Sequence, residues 1–118
     1  MALDATITRR SLSNTSTPDV NQVYSALVTG DNVLILGSAG KQIQITGIVI
    51  STGTLGVYTL RTGDDALVVF NMSAHVPVLD HAVGQDSVLF SGTSGQNINM
   101  VVTGAAANAG IYLQYKLR

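Results

Sequence analysis

The sequence predicts an all-β fold, an antiparallel β-sandwich or barrel preceded by an extended N-terminal arm. Three observations carry that expectation. Apolar and polar side chains alternate with a period of two in several short segments, as they do when a strand buries one face. Glycine, asparagine and aspartate cluster between those segments, which is the chemistry of turns. No window holds a sustained helical stripe with caps.

In chain order, residues 1–20 read as the arm and residues 21–118 as the sandwich domain. Arg9 and Arg10 lead into Ser11-Leu12-Ser13-Asn14-Thr15-Ser16-Thr17-Pro18-Asp19, a polar stretch short of large apolar groups. Such a stretch buries too little surface to offset its ordering entropy unless it lies against another surface. Asn14-Thr15-Ser16 matches a glycosylation sequon. Met1-Ala2-Leu3-Asp4 lacks the apolar core of a signal peptide, so the chain is expected to be made in the cytoplasm without secretion.

The strand expectations follow from the alternation. Ile111, Leu113, Tyr115 and Leu117 form one face of the last strand, and Tyr112, Gln114, Lys116 and Arg118 the other. Ile98, Met100 and Val102 alternate with Asn97, Asn99 and Val101. Ile43 and Ile45 alternate with Gln42, Gln44 and Thr46, but at Gly47 the parity breaks and Ile48 and Ile50 take over. A glycine at a parity switch indicates a bulge or a strand that crosses between sheets. The other strands are expected over Val23–Val28, Val33–Leu36, Leu55–Arg61, Ala66–Phe70, Val76–Leu79 and Ser87–Ser91. Ala105 to Gly110, between two strong strands, reads as a loop. About eight or nine short strands with this spacing indicate a sandwich or barrel. Gly37-Ser38-Ala39-Gly40-Lys41-Gln42-Ile43 echoes Gly92-Thr93-Ser94-Gly95-Gln96-Asn97-Ile98, each a glycine turn launching an alternating strand, as equivalent strands in two halves of a sandwich would be.

Composition narrows the function. Only 11 % of the 118 residues are charged, against roughly a quarter in an ordinary soluble domain. From Ser87 to Tyr115 there is no Asp, Glu, Lys or Arg. A surface so poor in charge suits coverage by partner subunits, because interface cores are depleted in charge. A net charge of −1 offers no basic stripe for nucleic acid. With no cysteine there is neither a disulfide framework nor thiolate chemistry. The longest apolar runs, such as Ala66 to Phe70, fall far short of the ~20 residues that span a bilayer. No direct nucleic-acid partner and no membrane are therefore expected.

A search for chemistry returns little. The two histidines, His75 and His81, would stand about 20 Å apart on one extended strand, too far for a shared metal. Asp64 and Asp65 sit in a turn sequence, where aspartate bonds its own backbone, and not at the separation a glycosidase pair needs. Ser91-Gly92-Thr93-Ser94-Gly95 has threonine where a nucleophile elbow has serine. Gly37-Ser38-Ala39-Gly40-Lys41 lacks the spacing of a phosphate loop. No catalytic residue, metal or cofactor is expected, and the chain is not expected to be an enzyme. Tyr24, Tyr58, Tyr112 and Tyr115 are the candidates for a sugar-stacking platform, with Tyr112 facing away from the apolar set of its strand.

Two stretches carry a resemblance: Ile45-Thr46-Gly47-Ile48-Val49-Ile50-Ser51 with Thr54-Leu55-Gly56-Val57-Tyr58-Thr59-Leu60-Arg61-Thr62-Gly63, and Gln96-Asn97-Ile98-Asn99-Met100-Val101-Val102-Thr103-Gly104 through Ile111-Tyr112-Leu113-Gln114-Tyr115. Over roughly residues 42–118 the chain resembles the small jelly-roll-like proteins that decorate, or cement, the heads of tailed bacteriophages. The resemblance implies a jelly-roll-like sandwich that assembles as a homotrimer on the outer surface of a virion, with the major capsid protein as partner. Arg9 and Arg10 are the expected capsid contacts, anchoring the arm. A tail or head-fibre component would use the same fold, and a carbohydrate-binding module for host recognition stands as the reading from another class.

Overall fold

The computed structural model describes residues 20–83 and 87–118; Arg9, Arg10 and the Asn14 sequon lie outside the described residues. Nine strands appear among them: β1 (Asn21–Ala26), β2 (Gly30–Ile35), β3 (Ile43–Ser51), β4 (Gly56–Thr62), β5 (Asp65–Met72), β6 (Val78–His81), β7 (Phe90–Ser91), β8 (Ile98–Thr103) and β9 (Gly110–Leu117). They form two antiparallel sheets packed as a sandwich. One has the order β1-β9-β3-β6, with β7 also on β3; the other has the order β2-β8-β4-β5. None of the described residues forms a helix long and apolar enough to cross a membrane.

The pairings nest. β4 pairs β5, β3 pairs β6 and β7, β2 pairs β8, and β1 pairs β9, as if one long hairpin had been rolled up. β6 and β7 lie on the same edge of β3, opposite Gly47–Ile50 and Gln44–Ile45 respectively, so they act as one interrupted edge strand. β6 starts two residues later than the alternation suggests. Val76 N–H is turned back to the Ser73 carbonyl, and Pro77 has no N–H to give to a ladder.

Alternation places Ile43, Ile45, Ile48, Ile50, Ile111 and Leu113 on the inner face of one sheet and Tyr58, Leu60, Ile98, Met100 and Val102 on that of the other, all buried. Each such side chain contributes about 1.5–3 kcal/mol on leaving water. The parity break in β3 is a bulge. The register against β9 shifts between Ile45 and Gly47, with Thr46 the extra residue, and β3 stays within its own sheet. A second bulge in β2, between Val33 and Ile35, lets Leu34 and Ile35 both turn inward.

The last strand departs from strict alternation at its end. Leu117 is 40 % exposed, whereas Lys116, expected on the open face, is only 8 % exposed. Leu117 pairs with Ile43 at the limit of the ladder, and Lys116 shares a hollow with Val20, Thr46 and Ser87.

Hydrogen bonds stitch the loops together at both ends of the sandwich. At one end Leu27 N–H donates to Ala109 O (2.9 Å), Gly53 N–H to Ala107 O (2.8 Å) and His75 N–H to Thr52 O (2.8 Å). Asn32 organises the β1–β2 turn: its Oδ1 accepts from Val28 N–H at 3.0 Å, and its Nδ2 donates to Val28 O, Gly30 O and Met100 O. At the other end the two echoing glycine turns lie against each other. Gly95 N–H donates to Lys41 O (2.8 Å), and Gly37 N–H donates to Asn97 Oδ1 (2.7 Å). The approach is so close that a Cβ on Gly37 would overlap the Gly95 carbonyl oxygen.

Candidate functional site

Each sheet offers one outer face, and cross-strand register decides which residues meet there. On the five-stranded sheet Tyr24 is opposite Tyr112, Tyr112 opposite Val49, and Val49 opposite Leu79. One row of aromatic and aliphatic groups therefore runs across four strands. The next row, two residues along each strand, is Gln22, Gln114, Gly47 and His81. The Tyr24 and Tyr112 rings are 4.6 Å apart between centroids and tilted by 46°. Gln114 Nε2 donates to the Tyr112 hydroxyl at 2.9 Å and so ties the two rows together.

Tyr112 and Val49 separate two hollows. One, of about 460 Å³, is bounded by Tyr24, Ser51, Asn108 and Gly110. The other, of about 370 Å³, is bounded by Gly47, Leu79, Asp80, His81 and Gln114. Gly47 keeps the second hollow open, because a Cβ there would stand 3.0 Å from Gln114 Oε1 and 3.3 Å from His81 Cδ2. Among the described residues, no Lys, Arg or Glu lines either hollow. Asp80, opposite Ile48, has the other parity from Leu79 and His81, and its Oδ1 accepts the backbone N–H of His81 at 2.8 Å.

On the four-stranded sheet the outward rows are Asp31, Val101, Thr59 and Val69, then Val33, Asn99 and Arg61. Val33 and Val69 are each 52 % exposed. Asn99 is not the open polar residue that alternation suggests: between Val33 and Arg61 it is only 9 % exposed. Its Nδ2 reaches Asp31 Oδ2 at 3.4 Å, and its Oδ1 accepts no hydrogen bond from the described residues.

The tyrosine candidates are thus divided. Tyr58 is wholly buried and donates to Thr52 Oγ1 at 2.9 Å; Tyr115 packs partly against the core. Tyr24 and Tyr112 are brought together on one face with two glutamines, a cluster that alternation alone does not reveal. Its signal is present only as register, since positions 22–24, 47–49, 79–81 and 112–114 become neighbours solely through strand pairing. His75 occupies a turn with a φ of 62°, away from the ladder that ends at His81. Asp64 and Asp65 close the β4–β5 turn, where Arg61 Nη2 donates to the Asp64 carbonyl. Among the described residues, no three of His, Cys, Asp and Glu gather as metal ligands. The chemistry these faces offer is contact: stacking, apolar burial and amide hydrogen bonding. No family model, curated protein or solved structure matches the chain.

Proposed function

We propose that the chain is a virion structural protein, a decoration (cement) subunit that sits as a homotrimer on the outside of a bacteriophage head and ties major capsid proteins together. The observation that carries the assembly part is the outer face of β2-β8-β4-β5. There Asn99, between Val33 and Arg61, holds a buried acceptor with no donor among the described residues, and half-exposed Val33 and Val69 lie on the same face. Buried polar groups are nearly always hydrogen-bonded, and a neighbouring subunit laid on this face would supply the donor while covering Val33 and Val69. The scarcity of charge suits the same role. Placement on a phage head rests on the sequence resemblance.

The nested pairing, with β6 and β7 taken as one strand, supports reading the sandwich as a jelly roll, an architecture used in viral capsids. Fold alone does not give function. The proposed mechanism is added interface between capsomers, on the order of 1,600 Å² for each stable contact, multiplied by presenting several copies at once.

Light scattering on the purified chain, followed by co-sedimentation with heads built from the cognate major capsid protein, tests this reading. A trimer that sediments with heads supports it, and loss of occupancy in the Arg9→Ala/Arg10→Ala double variant would assign the anchor to the arm. A monomer that stays in the supernatant refutes it.

A further inference from the structure

We infer that the outer face of the five-stranded sheet is a binding site for a neutral oligosaccharide of at least two sugar rings. The inference stands on this face alone and does not depend on the capsid reading.

A pyranose ring has an apolar C–H face and a rim of hydroxyls that both donate and accept. Tyr24 and Tyr112 offer phenol rings to stack on, one 75 % exposed and the other half-buried and held by Gln114. The adjacent row supplies the rim partners: Gln22 and Gln114 carry amides that donate and accept, and His81 stands at the far wall. A few well-placed polar groups beside an apolar floor are the usual make-up of a small-molecule site.

Length and charge follow from the same geometry. The two hollows lie on either side of Tyr112, so a ligand that fills both must cross that ring. From Tyr24 to Leu79 the row spans three strand spacings, about 14 Å. With no Lys or Arg among the described lining residues, an acidic sugar finds no fixed counter-charge there. A purely apolar partner docked on the same row would strip water from the amides without replacing their hydrogen bonds.

The intact chain can be titrated with cellotriose, maltotriose, triacetylchitotriose and 3′-sialyllactose, and screened on a glycan array. Binding is read by saturation transfer to ligand protons and by tyrosine fluorescence, which is undisturbed because the chain has no tryptophan. The expected result is retention of one or more neutral oligosaccharides and no retention of sialylated ones. Tyr112→Ala should weaken binding about tenfold or more, the loss of one stacked ring. Tyr24→Ala alters a largely exposed ring and serves where Tyr112→Ala does not fold. Ser38→Ala, in the exposed turn between β2 and β3, should leave affinity unchanged.

Three outcomes overturn the inference: no neutral glycan bound by the wild type, equal binding of sialyllactose, or full affinity in folded Tyr24→Ala and Tyr112→Ala. Concentration-dependent self-association that Tyr24→Arg abolishes, without glycan binding, would assign the face to a second copy instead. Failure here leaves the trimer and head-binding results standing, and failure of those leaves this one.

Discussion

Replacing Gly37 by alanine probes the contact between the two echoing glycine turns. Its new Cβ would overlap the Gly95 carbonyl oxygen and stand 2.7 Å from the Gln96 carbonyl carbon. Every atom in the way is backbone, so no side-chain rotation relieves it. The β7–β8 turn must retreat by about 1 Å to regain ordinary contact. That retreat strains the 2.8 Å bond from Gly95 N–H to Lys41 O and the 2.7 Å bond from Gly37 N–H to Asn97 Oδ1. Overpacking costs about 1–3 kcal/mol and each weakened bond about 0.5–1.5 kcal/mol. The sum is about 2–6 kcal/mol, a large part of the roughly 5–15 kcal/mol that such domains possess. At roughly 4 °C per kcal/mol for a chain of this size, Tm should fall by about 8–24 °C.

Gly95 is the control. Its φ is +80°, and nothing lies within 4 Å of the place a Cβ would take, so Gly95→Ala incurs only left-handed strain, about 1–2 kcal/mol. Thermal melts followed by circular dichroism would compare the two. A Gly37→Ala variant that melts no lower than Gly95→Ala refutes the packing of one turn on the other.

Tyr58→Phe removes the buried bond to Thr52 Oγ1, which still accepts Thr54 N–H at 3.2 Å; the expected loss in a urea titration is about 1 kcal/mol. Asn99→Val separates two roles of one residue. In the isolated chain it deletes a buried acceptor that has no donor among the described residues, and it should raise stability by about 1 kcal/mol. In the assembly it deletes the group a neighbour would bond, so occupancy on heads should fall; a stabilised variant with unchanged occupancy would exclude this face from the interface.

Alternation makes much of the sandwich legible. β8 and β9 can be read from it because their inner positions meet the opposite sheet without interruption, and the Gly47 bulge announces itself as a change of parity. Lys116, Leu117 and Asn99 escape the pattern, because their exposure depends on neighbours from other strands and on where a ladder stops. The outer-face cluster is invisible for the same reason: its two rows join residues from four distant segments, and only pairing register brings Tyr24 beside Tyr112 or His81 beside Gly47. Period-two patterning tells which way a residue points. It does not tell which residue stands next to it.

The place of β9 in its sheet has a consequence for biosynthesis. It lies between β1 and β3, and it follows every other strand in the chain. β1 leaves the ribosome with its sheet partner still untranslated, and at typical elongation rates the wait is about 5–20 s. Through that interval β1 and one side of β3 expose unpaired backbone to any other nascent chain, with few charges to repel it. Chaperone cover or lower temperature during that interval is expected to raise the soluble yield without any change in the stability of the finished sandwich.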